Sequence, residues 1–347
     1  MRAHRSTIVL TVLACSAVVL TGLALACGPV PVPLRDTVRI LVGVQPSDPR
    51  WQVIITSMRM PRVLTAIAAG SALAVAGLQM QTLFGNPLAD PYVLGVSSGA
   101  SLGVALAVLV GVGSGAGFIA DLSGFGRIGV SVAAVSGAWC VLIVVLTLAR
   151  WVASVTTLLL VGVMVGAAST AAVSVLLGYA NPQRIQQYLL WGLGSFTATT
   201  WSDLRLLLPL TGCGLAAAMW TIRPLNALLL GESYARTMGI NVRRARLITV
   251  SSASLLTGVT TAFCGPIAFI GLFVPHLSRS ALGTSDHRVA MPGVVLMGAT
   301  VAVGCAIVSQ LPGSNAVLPV NAVTALIGAP LVVAVLIARH RAEELPR

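Results

Sequence analysis

Long apolar segments separated by short polar breaks dominate this chain. A helix needs about 20 predominantly apolar residues to cross the hydrocarbon core of a membrane. The pattern predicts ten such segments, near 7–27, 63–83, 94–113, 128–149, 152–178, 204–221, 247–264, 266–282, 292–311 and 320–338. We therefore expect an all-α, polytopic membrane protein with about ten transmembrane helices.

Two further segments qualify this picture. Residues 183–200 are amphipathic and have Trp191 and Trp201 near their ends, which predicts an interfacial or partly inserted helix. Residues 1–27 also fit a signal peptide, with Arg2 and Arg5 before an apolar stretch. We prefer a retained first span, because an even number of spans then places both arginine-bearing termini in the cytoplasm.

The composition requires lipid as the solvent for most of the surface. Of 347 residues, 56% are hydrophobic and 9% are charged, whereas a soluble domain has roughly 25% charged residues. The net charge of +12 comes from arginines in the breaks, and the larger share of them falls on one predicted side. That bias predicts which side of a multi-pass protein is cytoplasmic and gives no support for nucleic-acid binding.

The chain contains no lysine, which excludes a Walker A phosphate loop and Schiff-base chemistry. Every acidic residue falls in a predicted break or at a span edge. An ion-coupled carrier usually has an ionisable group inside the membrane, and an intramembrane enzyme would need catalytic groups there. Both classes remain weaker alternatives. No spacing of histidines or cysteines predicts a metal site or a cofactor.

The strongest motif lies at residues 59–100. It reads R-x-P-R, then a small-residue span, then Q-x-x-x-x-N-P-L-A-x-P-x-x-L-G, with Arg59, Pro61, Arg62, Gln81, Asn86, Pro87, Leu88, Ala89, Pro91, Leu94 and Gly95. In these residues the chain resembles the FecCD family of binding-protein-dependent ABC permeases. Further matches lie at 158–163, 223–240, 265–279, 286–293 and 318–330. The resemblance implies a single permease domain over 1–347 with the type II ABC importer fold.

Arg59 and Arg62 are three residues apart and share one face of a helix entry, at the predicted outer surface. They either snorkel to lipid headgroups or present charge to a partner. The resemblance implies the second role, which is docking of the substrate-binding protein.

The resemblance also implies two cytoplasmic functions. The Pro-bracketed break after the second span would form an inner gate, together with the loop between spans four and five. The gate residues are Asn86, Leu88, Ser154 and Thr156. The polar segment at about 223–246 would dock into the ATPase. Its coupling residues are Gly231, Glu232, Ala235, Arg236, Gly239, Asn241 and Arg243.

The chain departs from the family pattern near its ninth and tenth spans. Relatives commonly have an Asp and Arg pair and then an acidic residue, where this chain has Ala306, Gln310 and Val317.

The chain also contains a weak internal repeat between residues 85–96 and 264–275, each with a Gly/Pro break in apolar sequence. The two units enter from opposite sides, as in an inverted repeat.

The resemblance implies a permease that is not itself an enzyme and has no cofactor. Its expected partners are cytoplasmic ABC ATPase subunits, an extracytoplasmic substrate-binding protein and the lipid bilayer. A second permease copy is also expected, in a homodimer or with a paralogue. The expected cargo is an iron chelate, either a ferric siderophore or haem, and the alternative within the family is cobalamin.

Overall fold

A computed structural model describes residues 2–110, 125–151, 155–310 and 317–344. These residues form helices and connections without a strand. The helices are α1 (Arg2–Ala26), α2 (Leu34–Leu41), α3 (Pro49–Val53), α4 (Met60–Leu83), α5 (Val96–Ala105), α6 (Phe125–Trp151), α7 (Val155–Gly178), α8 (Pro182–Gly192), α9 (Trp201–Trp220), α10 (Ile222–Leu228), α11 (Glu232–Thr237), α12 (Val242–Cys264), α13 (Ile270–Leu282), α14 (His287–Ser309) and α15 (Val320–Glu344).

Short irregular helical turns join some of these elements. A π-helical turn at Ile54–Arg59 connects α3 to α4, and another at Leu106–Val110 extends α5. A 3-10 turn at Pro91–Leu94 precedes α5. All-helical architecture was expected, and it is confirmed.

Each of the ten predicted spans corresponds to a helix, but they are not equally long. Within the described residues, six helices are long and apolar enough to cross a membrane, or seven if the bent pair α9 and α10 is one span. Helix α13 has 13 residues, whereas the predicted segment at 266–282 is longer. The predicted segment at 183–200 was too long, because α8 ends at Gly192 and the chain then turns at Gly194, where φ is +72°.

Helix α4 is the centre of the fold. Nearly all its residues are buried, and it contacts α9, α12, α13 and α14. Small residues allow this close approach: a Cβ added at Gly77 would lie 1.8 Å from the carbonyl oxygen of Gly271 on α13. A Cβ at Gly70 would lie 2.2 Å from the carbonyl oxygen of Gly298 on α14. Helix packing without a hydrophobic driving force depends on such backbone contact.

The helix ends meet in two groups. We call the first the α2–α3 end, where α2 and α3 lie with the end of α1, the start of α4 and the end of α14. We call the second the α10–α11 end, where α10 and α11 lie with the end of α4 and the start of α14. The break after α4 that contains Asn86 and Leu88, and the predicted coupling segment, lie at the α10–α11 end.

Helix α2 has its polar side turned inward. Asp36 and Thr37 are buried, and the Asp36 carboxylate accepts hydrogen bonds from the backbone N–H (3.0 Å) and hydroxyl (2.7 Å) of Ser47. The outward side is apolar and exposed, with Leu34, Val38 and Leu41 at helical spacing. An amphipathic helix of this kind is stable when its apolar side rests on the acyl boundary of a membrane.

We therefore expect a photo-crosslinking amino acid at Val38 to capture phospholipid when the protein is reconstituted in vesicles. Mass spectrometry of the adduct measures this. The same label at Val19, which is exposed on α1, serves as the lipid-facing control. Capture of protein without phospholipid at position 38 would contradict the prediction.

Candidate functional site

The break after α4 is stabilised by hydrogen bonds between residues of its own segment. Asn86 is exposed, and its Oδ1 accepts a hydrogen bond from the backbone N–H of Leu88 at 2.9 Å. The backbone N–H of Asn86 donates to the carbonyl of Gln81 at 3.1 Å, which closes the end of α4. Leu88 is 44% exposed. The two predicted gate residues on this break are thus accessible side chains on a locally ordered turn.

The second half of the predicted gate is described only in part. Ser154 lies outside the described residues, and Thr156 lies in the first turn of α7. Leu159, one turn further along α7, lines the same cavity as Asn86. The start of α7 therefore approaches the break after α4, as the gate prediction requires, and the gating role itself stays a prediction.

The same break reaches the other half of the chain through Tyr92. The Tyr92 hydroxyl donates to the carbonyl of Ile267 and accepts from the backbone N–H of Ile267, both at 2.9 Å. Ile267 lies in the break between α12 and α13, where Phe269 has a φ of +72°. The two Gly/Pro breaks that resemble each other in sequence are therefore in direct contact.

Asp90 begins the 3-10 turn beside Tyr92. Its Oδ1 accepts a hydrogen bond from the backbone N–H of Tyr92 at 2.8 Å. Burial raises the pKa of Asp90 to about 6, and that hydrogen bond opposes the rise. A carboxyl group in this position is therefore harder to ionise than an exposed one.

The predicted coupling segment folds into α10, α11 and the first turn of α12. Gly231 and Gly239 bound α11 with φ values of +103° and +78°, a region that side-chain-bearing residues rarely adopt. Asn241 caps α12, since its side chain accepts from the backbone N–H of Arg244 at 3.0 Å. Glu232 at the start of α11 forms an ion pair with Arg236 at 2.8 Å.

The coupling residues divide into a buried and an exposed set. Ala235 is fully buried in a small cluster with Ala227 and Val242, so its side chain packs inside the segment, and its coupling role stays a prediction. Glu232, Arg236, Gly239, Asn241 and Arg243 are on or near the surface.

An exposed apolar ridge on this segment was missed. Leu230, Tyr234 and Met238 follow one another at intervals of four residues and are all more than half exposed. We call these three residues the α11 ridge. Tyr234 lies on α11, and Leu230 and Met238 lie just before and just after this helix, so the three side chains flank or belong to one short element.

Arg59 is buried, not exposed as the sequence predicted. One of its terminal nitrogens donates to the carbonyls of Leu25 and Ala26, both at 2.7 Å, and the other donates to the carbonyl of Val30. The last carbonyls of a helix have no intrahelical partner and carry partial negative charge, so a guanidinium there stabilises the helix end. Arg59 thus caps the C-terminus of α1.

Arg62 is buried in the same way against α14. Its guanidinium donates to the carbonyl of Ala306 and to the side-chain oxygen of Gln310. Ala306 and Gln310 are two of the positions where the chain departs from the family pattern. The hydrogen-bond acceptors for Arg62 are therefore a backbone carbonyl and a neutral side-chain amide, and neither is a carboxylate. Val317, the third such position, is exposed.

Comparison with known proteins decides the family. The sequence profile of the FecCD transport family matches residues 16–338. The chain belongs to the FecCD transport family. The vitamin B12 import system permease protein BtuC of Escherichia coli O9:H4 (strain HS) is 35% identical over 304 residues, which cover 86% of this chain and 89% of that protein. BtuC of Shigella sonnei (strain Ss046) matches with the same identity and coverage.

A solved structure supports the same assignment. An ABC transporter of metal-chelate type in an inward-facing conformation superposes with a TM-score of 0.82 at 27% identity, covering 96% of this chain and 99% of that one. This member of the FecCD family is therefore an ABC importer permease and a multi-pass protein of the inner membrane. Permeases of this family are not enzymes. The iron-chelate prediction is not confirmed, because the BtuC relatives are named for vitamin B12 import.

Proposed function

We propose that the chain moves a metal chelate inward across the membrane, driven by a separate ABC ATPase that docks on the α11 ridge. The family assignment and the exposed ridge at the α10–α11 end support this most directly. In the proposed orientation the α10–α11 end and both termini are cytoplasmic. The ATPase supplies the free energy, since this lysine-free chain has no Walker A loop.

The α11 ridge has the properties of a docking surface. Tyr234 of α11 and the flanking Leu230 and Met238 are large, apolar and exposed, and Glu232 and Arg236 of the same helix form an ion pair. Large apolar side chains that lie together on a surface mark a site for a partner. Buried Ala235 supports the ridge from beneath, so it takes part in coupling through packing.

The cargo is proposed to be cobalamin, with an iron chelate as the second candidate. The relatives that are 35% identical are vitamin B12 permeases, which favours a corrinoid. The matching solved structure is of an ABC transporter of metal-chelate type, so ferric siderophores and haem remain candidate cargoes.

Passage is proposed to follow the interface with a second permease copy. Both α7 and α15 have exposed apolar side chains, including Leu160 and Met164 on α7 and Leu326 on α15. Such faces are covered by lipid or by another permease, either the same chain or a paralogue. The gate proposal assigns Asn86, Leu88, Ser154 and Thr156 to the cytoplasmic end of that path.

A substrate-binding protein is proposed to dock at the α2–α3 end. Arg59 and Arg62 are proposed to take part by holding the ends of α1 and α14 in place beneath the docking face. A direct contact with the partner would require both guanidinium groups to leave the carbonyls that they now bind.

The ridge predicts the effect of Tyr234→Asp. We expect it to weaken binding of the copurifying ABC ATPase by about 2 kcal/mol or more, or roughly 30-fold, because a charge replaces an aromatic side chain that docking would bury. Pull-down titration with the tagged permease in detergent measures this. The matched control is Tyr179→Asp, an exposed tyrosine after α7 and away from the α10–α11 end. Equal ATPase affinity in both variants would contradict docking on the ridge.

The cargo and its driving force are tested in proteoliposomes with the copurified ATPase and binding protein. Radiolabelled cyanocobalamin, a ferric hydroxamate and haem are compared as cargo. We expect accumulation of cyanocobalamin that requires ATP. Accumulation in vesicles that lack the ATPase would instead support the ion-coupled alternative.

A further inference from the structure

His287 lies at the junction of three elements of the α10–α11 end. It is the first residue of α14, it is 1% exposed, and the proposed gate and coupling roles do not use it. Its backbone N–H and its Nδ1 both lie 2.8 Å from the side-chain oxygen of Asn226 on α10. Its Nε2 lies 2.9 Å from the hydroxyl of Thr82, next to the last residue of α4. One imidazole therefore joins α10 to α4.

The neighbouring groups fix the direction of each hydrogen bond. The Asn226 amide nitrogen donates to the Asp286 carboxylate at 2.6 Å, so the amide oxygen faces His287. An amide oxygen only accepts, and His287 Nδ1 must therefore carry the hydrogen. In a neutral imidazole Nε2 is then an acceptor, and the Thr82 hydroxyl donates to it.

Asp286 anchors this chain of hydrogen bonds. Its carboxylate also accepts from the backbone N–H of Arg288 at 2.9 Å, as the cap of α14. That hydrogen bond, with the one from Asn226, holds the pKa of Asp286 below its ordinary value. The carboxylate therefore stays ionised and orients Asn226 throughout the physiological pH range.

Thr82 has a second acceptor within reach. Its hydroxyl lies 2.9 Å from the carbonyl of Leu78 on its own helix. The single hydroxyl hydrogen can serve either Leu78 or His287, but turning to Leu78 would leave the buried Nε2 of His287 without a donor. The link between α4 and α14 is therefore the favoured arrangement, and breaking it is costly.

Open space lies beside the Thr82 end of this link. A cavity of about 370 Å³ is lined by Thr82, Gly85 and Leu228, and also by residues of α13. Another of about 270 Å³ is lined by the same three residues and by Glu232 of α11. The helices also touch directly, since α4 contacts both α10 and α14. At Thr82, where the cavities interrupt that packing, the hydrogen-bonded chain provides a further route from α10 to the end of α4.

We propose that Asp286, Asn226, His287 and Thr82 form a transmission chain that carries displacement of the α10–α11 segment to the end of α4 and the Asn86 break. They are positioning residues. The inference rests on the proposed function and adds to it the path by which ATPase docking reaches the inner gate. Asn86 is four residues beyond Thr82, and its backbone N–H bonds to Gln81, so movement of the last turn of α4 moves the break.

Thr82→Val tests the chain, because valine keeps the shape of threonine and removes the hydroxyl. The assay measures ATP hydrolysed per cargo molecule transported, in proteoliposomes with the copurified ATPase and binding protein. We expect this ratio to rise at least about fivefold, as for loss of a typical coupling between sites. We expect ATPase binding to stay at the wild-type level and Thr82→Ser, which keeps the hydroxyl, to restore the wild-type ratio.

Two further variants make the test specific. Thr260→Val is the matched control, since Thr260 is equally buried and its hydroxyl bonds to Leu256 of its own helix. Asn226→Ala breaks the chain at a partly exposed position and should also raise the ratio, so the test survives if Thr82→Val does not fold. A wild-type ratio in Asn226→Ala or in folded Thr82→Val overturns the proposal. Uptake by wild-type vesicles without ATPase would instead overturn the proposed function.

Discussion

Gly77→Val is expected to prevent correct assembly of the helices around α4. The added Cβ would lie 1.8 Å from the carbonyl oxygen of Gly271. The next two atoms in distance are the carbonyl carbon and the Cα of Gly271, which also belong to the backbone. No side-chain rotation relieves a contact between two helix backbones, so α4 and α13 must separate. Overpacking costs about 1–3 kcal/mol and more where nothing can yield. We expect a fall in thermal unfolding temperature in detergent and loss of monodisperse protein by size-exclusion chromatography.

Gly304→Val is the control for this prediction. Gly304 is also inside a long apolar helix, α14, but a Cβ there meets nothing within 4 Å. Both substitutions place a valine inside a helix and carry the same cost in helix propensity. The difference between their unfolding temperatures therefore reports the contact with Gly271. Similar unfolding temperatures for the two variants would show that α4 and α13 are not in backbone contact.

Arg62→Ala is expected to give the second large loss of stability. The guanidinium is buried and bonds to the carbonyl of Ala306 and the side chain of Gln310. Removing it leaves both acceptors without that donor and a void beside them. Each buried polar group left unpaired costs about 1–3 kcal/mol. We expect a lower unfolding temperature in detergent, with the end of α14 becoming accessible to hydrogen exchange.

Arg205→Ala is the matched control, because Arg205 is exposed on α9 near the same end of the molecule. The experiment also separates the two roles considered for Arg62. A capping role lowers stability before any partner is added. Unchanged stability together with weaker affinity for the substrate-binding protein would instead support direct docking by the arginine.

The membrane class and the family could be predicted from sequence, because both depend on local properties of the chain. Ten apolar segments gave the position of ten helices, although α13 is shorter than expected. The glycines that bound α11 and the asparagine that caps α12 were also recognisable, since caps depend on neighbouring residues.

The roles of single polar residues were predicted less well. Arg59 and Arg62 were expected to be exposed because they lie at the predicted outer surface. Both are buried. Exposure depends on which other element covers a residue, and the covering elements here come from sequence positions far away.

The sequence by itself therefore determined that this is a helical membrane protein of the FecCD transport family, through its apolar segments and its motif near α4. Only the tertiary structure decided that two arginines cap the ends of α1 and α14, and that His287 joins Asn226 to Thr82. The physical reason is that a hydrogen bond needs two groups about 3 Å apart. Spacing along a chain fixes that distance within one helix, but packing fixes it between helices.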